Sequence, residues 1–171
     1  MEFKLTSCTV RSWEWRDRDS LVRYANNRNV SINLRDLFPH PYTQADARNW
    51  LDRVVGVKPE TNFAIVVDEE AMGGIGFTIQ NDVGYRSAEI GYWLGEEFWG
   101  RGIATEALIA VTEQAFSTYD LCRLYAHVFD WNPASARVLE KAGYTFEGRL
   151  KKSVTKNGQT IDQLMYAIIR D

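Results

Sequence analysis

The stretch Phe98-Trp99-Gly100-Arg101-Gly102-Ile103-Ala104-Thr105-Glu106 constrains this chain more than any other feature, because it joins two segments of different hydrophobic period. Upstream, Ala88-Glu89-Ile90-Gly91-Tyr92-Trp93-Leu94 alternates apolar and other side chains as a half-buried strand does. Downstream, Ala104, Ala107, Leu108, Val111 and Ala115 recur at helical spacing. The chain must turn sharply between strand and helix, and Gly100 and Gly102, lacking Cβ, allow the turn while leaving the main chain open to close approach. The helix then opens with amides that have no intrahelical acceptor, at the positive end of its dipole. Such a strand–turn–helix predicts an anion site of the kind that takes a pyrophosphate. The alternative, a Gly-x-Gly that is only a tight loop, stays open at this point. No Gly-Lys-Ser/Thr follows, which excludes a Walker-type loop, and the G-x-G-x-x-G dinucleotide fingerprint is absent.

At 171 residues the chain is read as a single domain, 1–171, long enough to close a substantial core. Its 6 tryptophans, 8 tyrosines and 8 phenylalanines point to a well-packed globule, with either a homodimer contact or an acceptor cleft as the use for exposed aromatics. A net charge of −3 argues against direct nucleic-acid binding, which needs a basic surface. Cys8 and Cys122 lack metal-ligand spacing and read as free thiols in a reducing compartment. No segment has the length of a membrane span and the N-terminus lacks a signal-peptide core, so no membrane partner and a cytoplasmic location are expected.

Residues 3–13 read as a strand and Asp17–Asn26 as a short helix with Leu21, Val22 and Ala25 inward. A proline-rich aromatic loop, Asn33–Tyr42, follows. Thr43 with Asp46 three residues on has capping-box spacing, and Ala47, Trp50, Leu51 and Val54 form the buried stripe of the helix it starts. Strands at 61–68, 71–80 and 84–94 form an antiparallel meander that ends at the glycine loop and its helix. A strand over 123–129, a helix capped by Asn132 with Pro133 at its first position and stopped at Gly143, and strands near 144–152 and 160–169 around an Asn157-Gly158 turn complete the chain. The expected fold class is α/β (α+β): a mixed, mostly antiparallel sheet of about seven strands flanked by about four helices.

With these residues in view the chain resembles the GNAT superfamily of acyl-CoA-dependent N-acetyltransferases, and within it the RimJ/RimL-like subfamily of ribosomal-protein N-terminal acetyltransferases. The resemblance is carried, in order and nearly end to end, by Phe38-Pro39-His40-Pro41-Tyr42, Glu89–Leu94, Trp99–Ala107, Asn132–Tyr144 and Glu147-Gly148-Arg149. It implies a sheet splayed in the middle, beside the strand ending at Leu94, with the pantetheine arm of CoA against Trp93 and Leu94 and the diphosphate on the amides of Gly100, Arg101, Gly102, Ile103, Ala104 and Thr105. Acetyl-CoA is the implied cosubstrate, with no metal. The chain departs from the superfamily at Trp99, where the loop commonly begins with Gln or Arg, and at Leu139, in a region where many relatives carry a tyrosine as general acid.

The implied reaction is direct attack of a primary amine in a ternary complex, the acceptor being a protein N-terminal α-amine or a small amine. A catalytically inactive CoA-binding scaffold of the same fold is the alternative. An α-amine of pKa ~8 is about a tenth neutral at pH 7, whereas a lysine-type amine of pKa ~10.4 needs far more help from a base. Glu89 is the candidate base, with pairing to Arg86 as the structural alternative. Ser135, in the first turn after Asn132, is the candidate acid for the thiolate, or simply a partner of backbone donors. A backbone N–H near Leu94 suits the oxyanion. Asn132 is assigned to the pantetheine amides, and Arg101, Arg137 and Lys141 to CoA phosphates. His40, Tyr42, Trp93 and Tyr125 are the acceptor-pocket candidates, and His127 shares a strand face with Tyr125, packing being the alternative for that pair.

Overall fold

The computed structural model describes residues 1–171. Its strands are β1 (Glu2–Lys4), β2 (Thr9–Ser12), β3 (Asn62–Val67), β4 (Glu70–Ile79), β5 (Ser87–Leu94), β6 (Arg123–Phe129), β7 (Thr145–Lys156) and β8 (Gln159–Ile169). The α-helices are α1 (Arg18–Ala25), α2 (Arg28–Ser31), α3 (Gln44–Val54), α4 (Ile103–Thr118) and α5 (Pro133–Lys141). Strand order is β1-β2-β3-β4-β5-β6-β8-β7. The β5–β6 pair is parallel, which the α4 crossover permits, while β1–β2, β2–β3, β3–β4, β6–β8 and β7–β8 are antiparallel. The expected mixed sheet is present with eight strands. The extra one arises because residues 3–13 are a hairpin: the Leu5 N–H donates to the Cys8 carbonyl at 2.9 Å and folds β1 back on β2. The short α2, capped by the Asn27 side chain on the Asn29 N–H, interrupts what reads as loop.

The chain forms two compact units, residues 1–76 with 92–107 and residues 77–91 with 108–171. In the first, α1 and α3 cover β3 and the start of β4 through a cluster of Trp13, Leu21, Ala25, Tyr42, Ala47, Leu51, Val54, Ala64, Val66 and Ala71, with Phe38, Trp50 and Trp93 packed against it. The α3 capping box forms as its sequence predicts, with the Thr43 hydroxyl accepting from the Asp46 N–H and the Asp46 carboxylate accepting from the Thr43 N–H. Gly73 and Gly74 let β5 come close: a Cβ on Gly73 would lie 2.5 Å from the Trp93 carbonyl oxygen, and one on Gly74 would lie 2.8 Å from the Trp93 indole nitrogen. Arg11 on β2 and Asp17 are buried together, joined by two hydrogen bonds of 2.8 and 2.7 Å, and Asp17 also accepts from the Glu14 N–H. Burial and the nearby Glu106 carboxylate push the Cys8 thiol up to about 11, leaving it un-ionised at neutral pH.

In the second unit α5 starts at the Asn132 cap and ends at Gly143, whose φ of +89° gives the left-handed stop that glycine takes readily. Asn157 and Gly158, at φ +49° and +73°, make the two-residue β7–β8 turn in the geometry that Asn-Gly favours. β7 lies at the end of the strand order, and its register with β8 shifts between Phe146 and Gly148 and again between Leu150 and Val154. At the second shift Lys152 has φ +49° and its N–H donates to Asp162 at 2.8 Å, while the Ser153 hydroxyl donates to the Leu150 carbonyl. No helix is long and apolar enough to cross a membrane.

The buried Arg11–Asp17 pair generates a stability prediction. Removing Asp17 takes away the carboxylate forked onto a buried guanidinium and leaves it Glu14, more exposed and at 3.8 Å, so Asp17→Ala lowers unfolding free energy by about 3 kcal/mol. An Arg11→Met/Asp17→Leu double variant loses much less. Urea titrations of the three proteins check both.

Candidate active site

The Gly100–Gly102 turn is anchored on its first side by main-chain bonds that β5 makes available. The Gly95 N–H donates to the Met72 carbonyl at 2.8 Å, the Phe98 and Trp99 N–H groups donate back to Gly95 and Glu96 in a 3-10 turn, and the Trp99 indole N–H reaches the Leu94 carbonyl at 2.8 Å. The residue that departs from the superfamily loop therefore ties the turn to the end of β5. Gly100 and Gly102 then take φ of +73° and +78°, and a Cβ on either would meet nothing within 4 Å. These glycines answer to backbone conformation and not to crowding. The Gly102 carbonyl accepts from the Glu106 N–H at 3.1 Å, the first bond of α4. The amides from Gly102 to Thr105 thus precede the ladder and face no helical acceptor, the arrangement expected for an anion. The Arg101 guanidinium turns back to the Glu97 carbonyl at 2.8 Å and lies 5.2 Å from the Phe98 ring, so main-chain amides are the principal donors of the loop.

In the other unit, β5 and β6 pair Ser87 with Arg123, Ala88 with Leu124 and Glu89 with Tyr125. Because β6 alternates, Arg123, Tyr125 and His127 share its half-buried face while Leu124, Ala126 and Val128 are buried. This face holds an acid–base cluster. A Glu89 carboxylate oxygen lies 3.1 Å from His127 Nδ1, with side chains 33% and 23% exposed, so the pair is shielded yet reachable. Tyr125 packs edge-on against the His127 imidazole at 5.6 Å, and burial together with the Glu89 charge raises its phenol above the ordinary range. Arg123 lies over the Tyr125 ring and is forked onto Glu147 at 2.8 and 2.5 Å, which lowers the Glu147 carboxyl and raises the guanidinium. The suggested Arg86–Glu89 pairing is replaced: Arg86 bonds Asp120 at 3.1 Å.

At the start of α5 the Asn132 side-chain oxygen accepts from the Ser135 N–H at 3.3 Å, leaving the Asn132 NH2 group as the donor end of the amide. Ser135 is half-buried on that first turn; Arg137 and Lys141 are exposed further along the helix, and Leu139 is fully buried. Tyr144 is buried too, its hydroxyl 2.8 Å from Thr112 and its phenol pushed up to about 12 by burial. Of the acceptor-pocket candidates, His40 is exposed, whereas Tyr42 is a core residue whose phenol burial pushes up to about 12. Phe38 bridges Tyr42 and half-buried Trp93, 5.2 Å from each. Sequence reasoning placed Tyr125 and His127 on one face but missed the Glu89–His127 contact and the Trp99 anchor. The first depends on a parallel register set across the whole of α4, and the second on a bond that no periodicity signals.

No group of three or more His, Cys, Asp or Glu side chains is arranged to hold a metal ion. A strand–glycine turn–helix whose opening amides have no helical acceptor, together with a separate carboxylate–imidazole pair, fits a group-transfer enzyme that uses a phosphorylated carrier. A family model described as an acetyltransferase (GNAT) domain matches residues 8–145, a span that includes the loop, Glu89, β6 and α5. The chain belongs to this family and is an N-acetyltransferase. It is 30% identical over 168 residues to the uncharacterized N-acetyltransferase p20 of Bacillus licheniformis, covering 95% of this chain and 92% of that one. It is 34% identical over 109 residues to the ribosomal-protein-serine acetyltransferase of Escherichia coli K12, covering 64% and 60%, and 26% identical over 155 residues to the spermidine N(1)-acetyltransferase of Vibrio cholerae, covering 90% and 88%. A GNAT-family acetyltransferase structure from Bacillus anthracis superposes with a TM-score of 0.85 at 26% identity over 99% of this chain and 98% of that one. The likeness to ribosomal-protein acetyltransferases holds, and spermidine acetyltransferases stand beside them.

The loop analysis predicts that Trp99→Phe, which keeps the ring and deletes the indole donor to Leu94, lowers stability by about 1 kcal/mol. It also raises the KM for acetyl-CoA several-fold with little change in kcat, as thermal melts and steady-state kinetics will read.

Proposed function

We propose that this chain, read as one acetyltransferase domain over residues 1–171, transfers the acetyl group of acetyl-CoA to a primary amine by direct attack, with no acyl-enzyme. The observation that carries this reading is the pair of left-handed glycines, which starts α4 with its first amides open to a diphosphate. The amides of Gly100–Thr105 hold the diphosphate, the Asn132 NH2 group bonds a pantetheine amide, and Trp93 and Leu94 flank the pantetheine arm. Arg101, once released from Glu97, and Lys141 meet the outer phosphates. The Glu89–His127 pair removes the amine proton, the Leu94 region supplies an N–H for the oxyanion, and Ser135 protonates the departing thiolate. That last role is minor, since a thiol of pKa ~8.5 leaves readily as thiolate.

The acceptor we favour is a peptide α-amine, with Tyr125, beside the Glu89–His127 pair, and the exposed His40 as the residues assigned to it. The ribosomal-protein relative supports this acceptor, and so does chemistry: an α-amine is about a tenth neutral at pH 7, so a shielded carboxylate–imidazole pair suffices as base. A polyamine is the second reading, favoured by the spermidine relative.

The test is a titration of acetyl-CoA by calorimetry, followed by CoA release with a Ser-initiated hexapeptide and with spermidine. We expect saturable binding, release with one of these amines, and preference for the peptide. Gly102→Val, which forces a β-branched residue to φ near +78°, weakens acetyl-CoA binding about tenfold. Glu89→Gln leaves that binding unchanged and lowers kcat at pH 7 by roughly tenfold or more. Binding without transfer to any amine would leave only the scaffold reading.

A further inference from the structure

The contact between Glu89 and His127 fixes more than the presence of a base, because it uses a particular nitrogen. The carboxylate meets Nδ1 at 3.1 Å, so the ring nitrogen it leaves for another partner is Nε2. In the neutral imidazole a carboxylate at Nδ1 holds the N–H on that side, and the lone pair then resides on Nε2. A carboxylate that orients an imidazole in this way, with Nε2 turned to the reacting group, is the division of labour of a carboxylate–histidine pair in nucleophilic enzymes.

We propose that His127, through Nε2, is the group that takes the amine proton, and that Glu89 is the positioning residue that fixes the imidazole tautomer and orientation and balances the imidazolium once formed. This rests on the amine-acetylation reading above and reassigns the proton within it. Three observations support it. His127 lies two residues beyond Tyr125, the partner of Glu89 in the β5–β6 register, and so is the next side chain on that face toward the carboxyl end of β6. Its ring orientation is fixed from two sides, by Glu89 and by the edge-on Tyr125 at 5.6 Å. A neutral imidazole nitrogen is also intrinsically a stronger base than a carboxylate oxygen.

The cation on this face is held by another carboxylate. From β6 the neighbours are Tyr125 and Arg123; Arg123 is neutralised by its fork to Glu147 on β7; and from β8 the residue opposite His127 is the uncharged Met165. Glu89, from β5, is the charged group in direct contact.

The step balances as follows. The bound ammonium gives one proton to Nε2, and the freed nitrogen lone pair attacks the thioester carbonyl carbon to form the C–N bond. Collapse breaks the C–S bond, the second nitrogen proton ends on the CoA thiolate, and the imidazolium releases its proton to solvent. Each turnover of a protonated amine thus yields one amide, one thiol and one proton.

His127→Asn separates the two roles, because the Asn amide N–H can still donate to Glu89 near the Nδ1 position but cannot accept a proton. The experiment measures kcat at saturating amine between pH 5 and 9, using whichever of the Ser-initiated hexapeptide and spermidine the unaltered chain acetylates, with calorimetric acetyl-CoA binding alongside. We expect His127→Asn to keep acetyl-CoA affinity, lose roughly 10²-fold in kcat at pH 7 and lose the acid limb of the profile. Added imidazole should restore part of the acetylated product in His127→Gly. Glu89→Gln should lower kcat yet retain an acid limb, because the group that takes the proton is still present. If His127→Asn keeps kcat within about threefold while Glu89→Gln abolishes the limb, Glu89 is itself the base and the assignment is overturned, with the amine-acetylation reading intact. An unaltered chain that binds acetyl-CoA and transfers to neither amine overturns both.

Discussion

Two backbone dihedrals govern the donor side of this protein. At Gly100 and Gly102 the chain holds a left-handed conformation that a residue with a side chain enters only under strain. That conformation decides where α4 begins, and hence which amides stand outside its hydrogen-bond ladder. The affinity of such a turn lies in oriented main-chain dipoles, so the identity of the neighbouring side chains matters little. The Trp99 indole carries no charge for a phosphate, and both it and the Arg101 guanidinium are engaged with the turn itself.

The acid–base cluster on β5 and β6 follows a different logic. Here the backbone only supplies period-2 alternation and a parallel register, and function resides in which side chains those two rules bring to one face. Arg123 is occupied by Glu147, which removes a cation that would otherwise compete for the Glu89 carboxylate. The carboxylate is in contact with an imidazole, a partner that can take up or release a proton.

Much of this was legible in the sequence because the signals were local. The α3 capping box, the Pro133 start of α5, the Gly143 stop, the Asn157-Gly158 turn and the strand–glycine–helix succession each depend on a few neighbouring residues, and each appears where its chemistry places it. What the sequence hid was non-local or too short to show a period. The β1–β2 hairpin lacks glycine or proline at its turn, so residues 3–13 look continuous. Helix α2, from Arg28 to Ser31, is barely one turn and has no apolar repeat to read. The Glu89–His127 contact requires β5 and β6 to be aligned across all of α4, and Tyr42 carries the same residue type whether it lines a pocket or, as here, lies in the core. Strand position singled out Glu89, but proximity in sequence suggested Arg86 as its partner where the fold supplies His127.

The irregular course of β7 has a consequence for how copies of this chain behave in crowded solution. A terminal strand of this length, Thr145–Lys156, would ordinarily offer its outer rim as a template for cross-β growth. The two register shifts cut that rim into short runs, and the second sets Lys151 and Lys152 outward where the strand bends. An incoming strand finds neither a straight row of donors and acceptors nor a charge-free surface, so the long hairpin resists edge-on stacking even at high concentration.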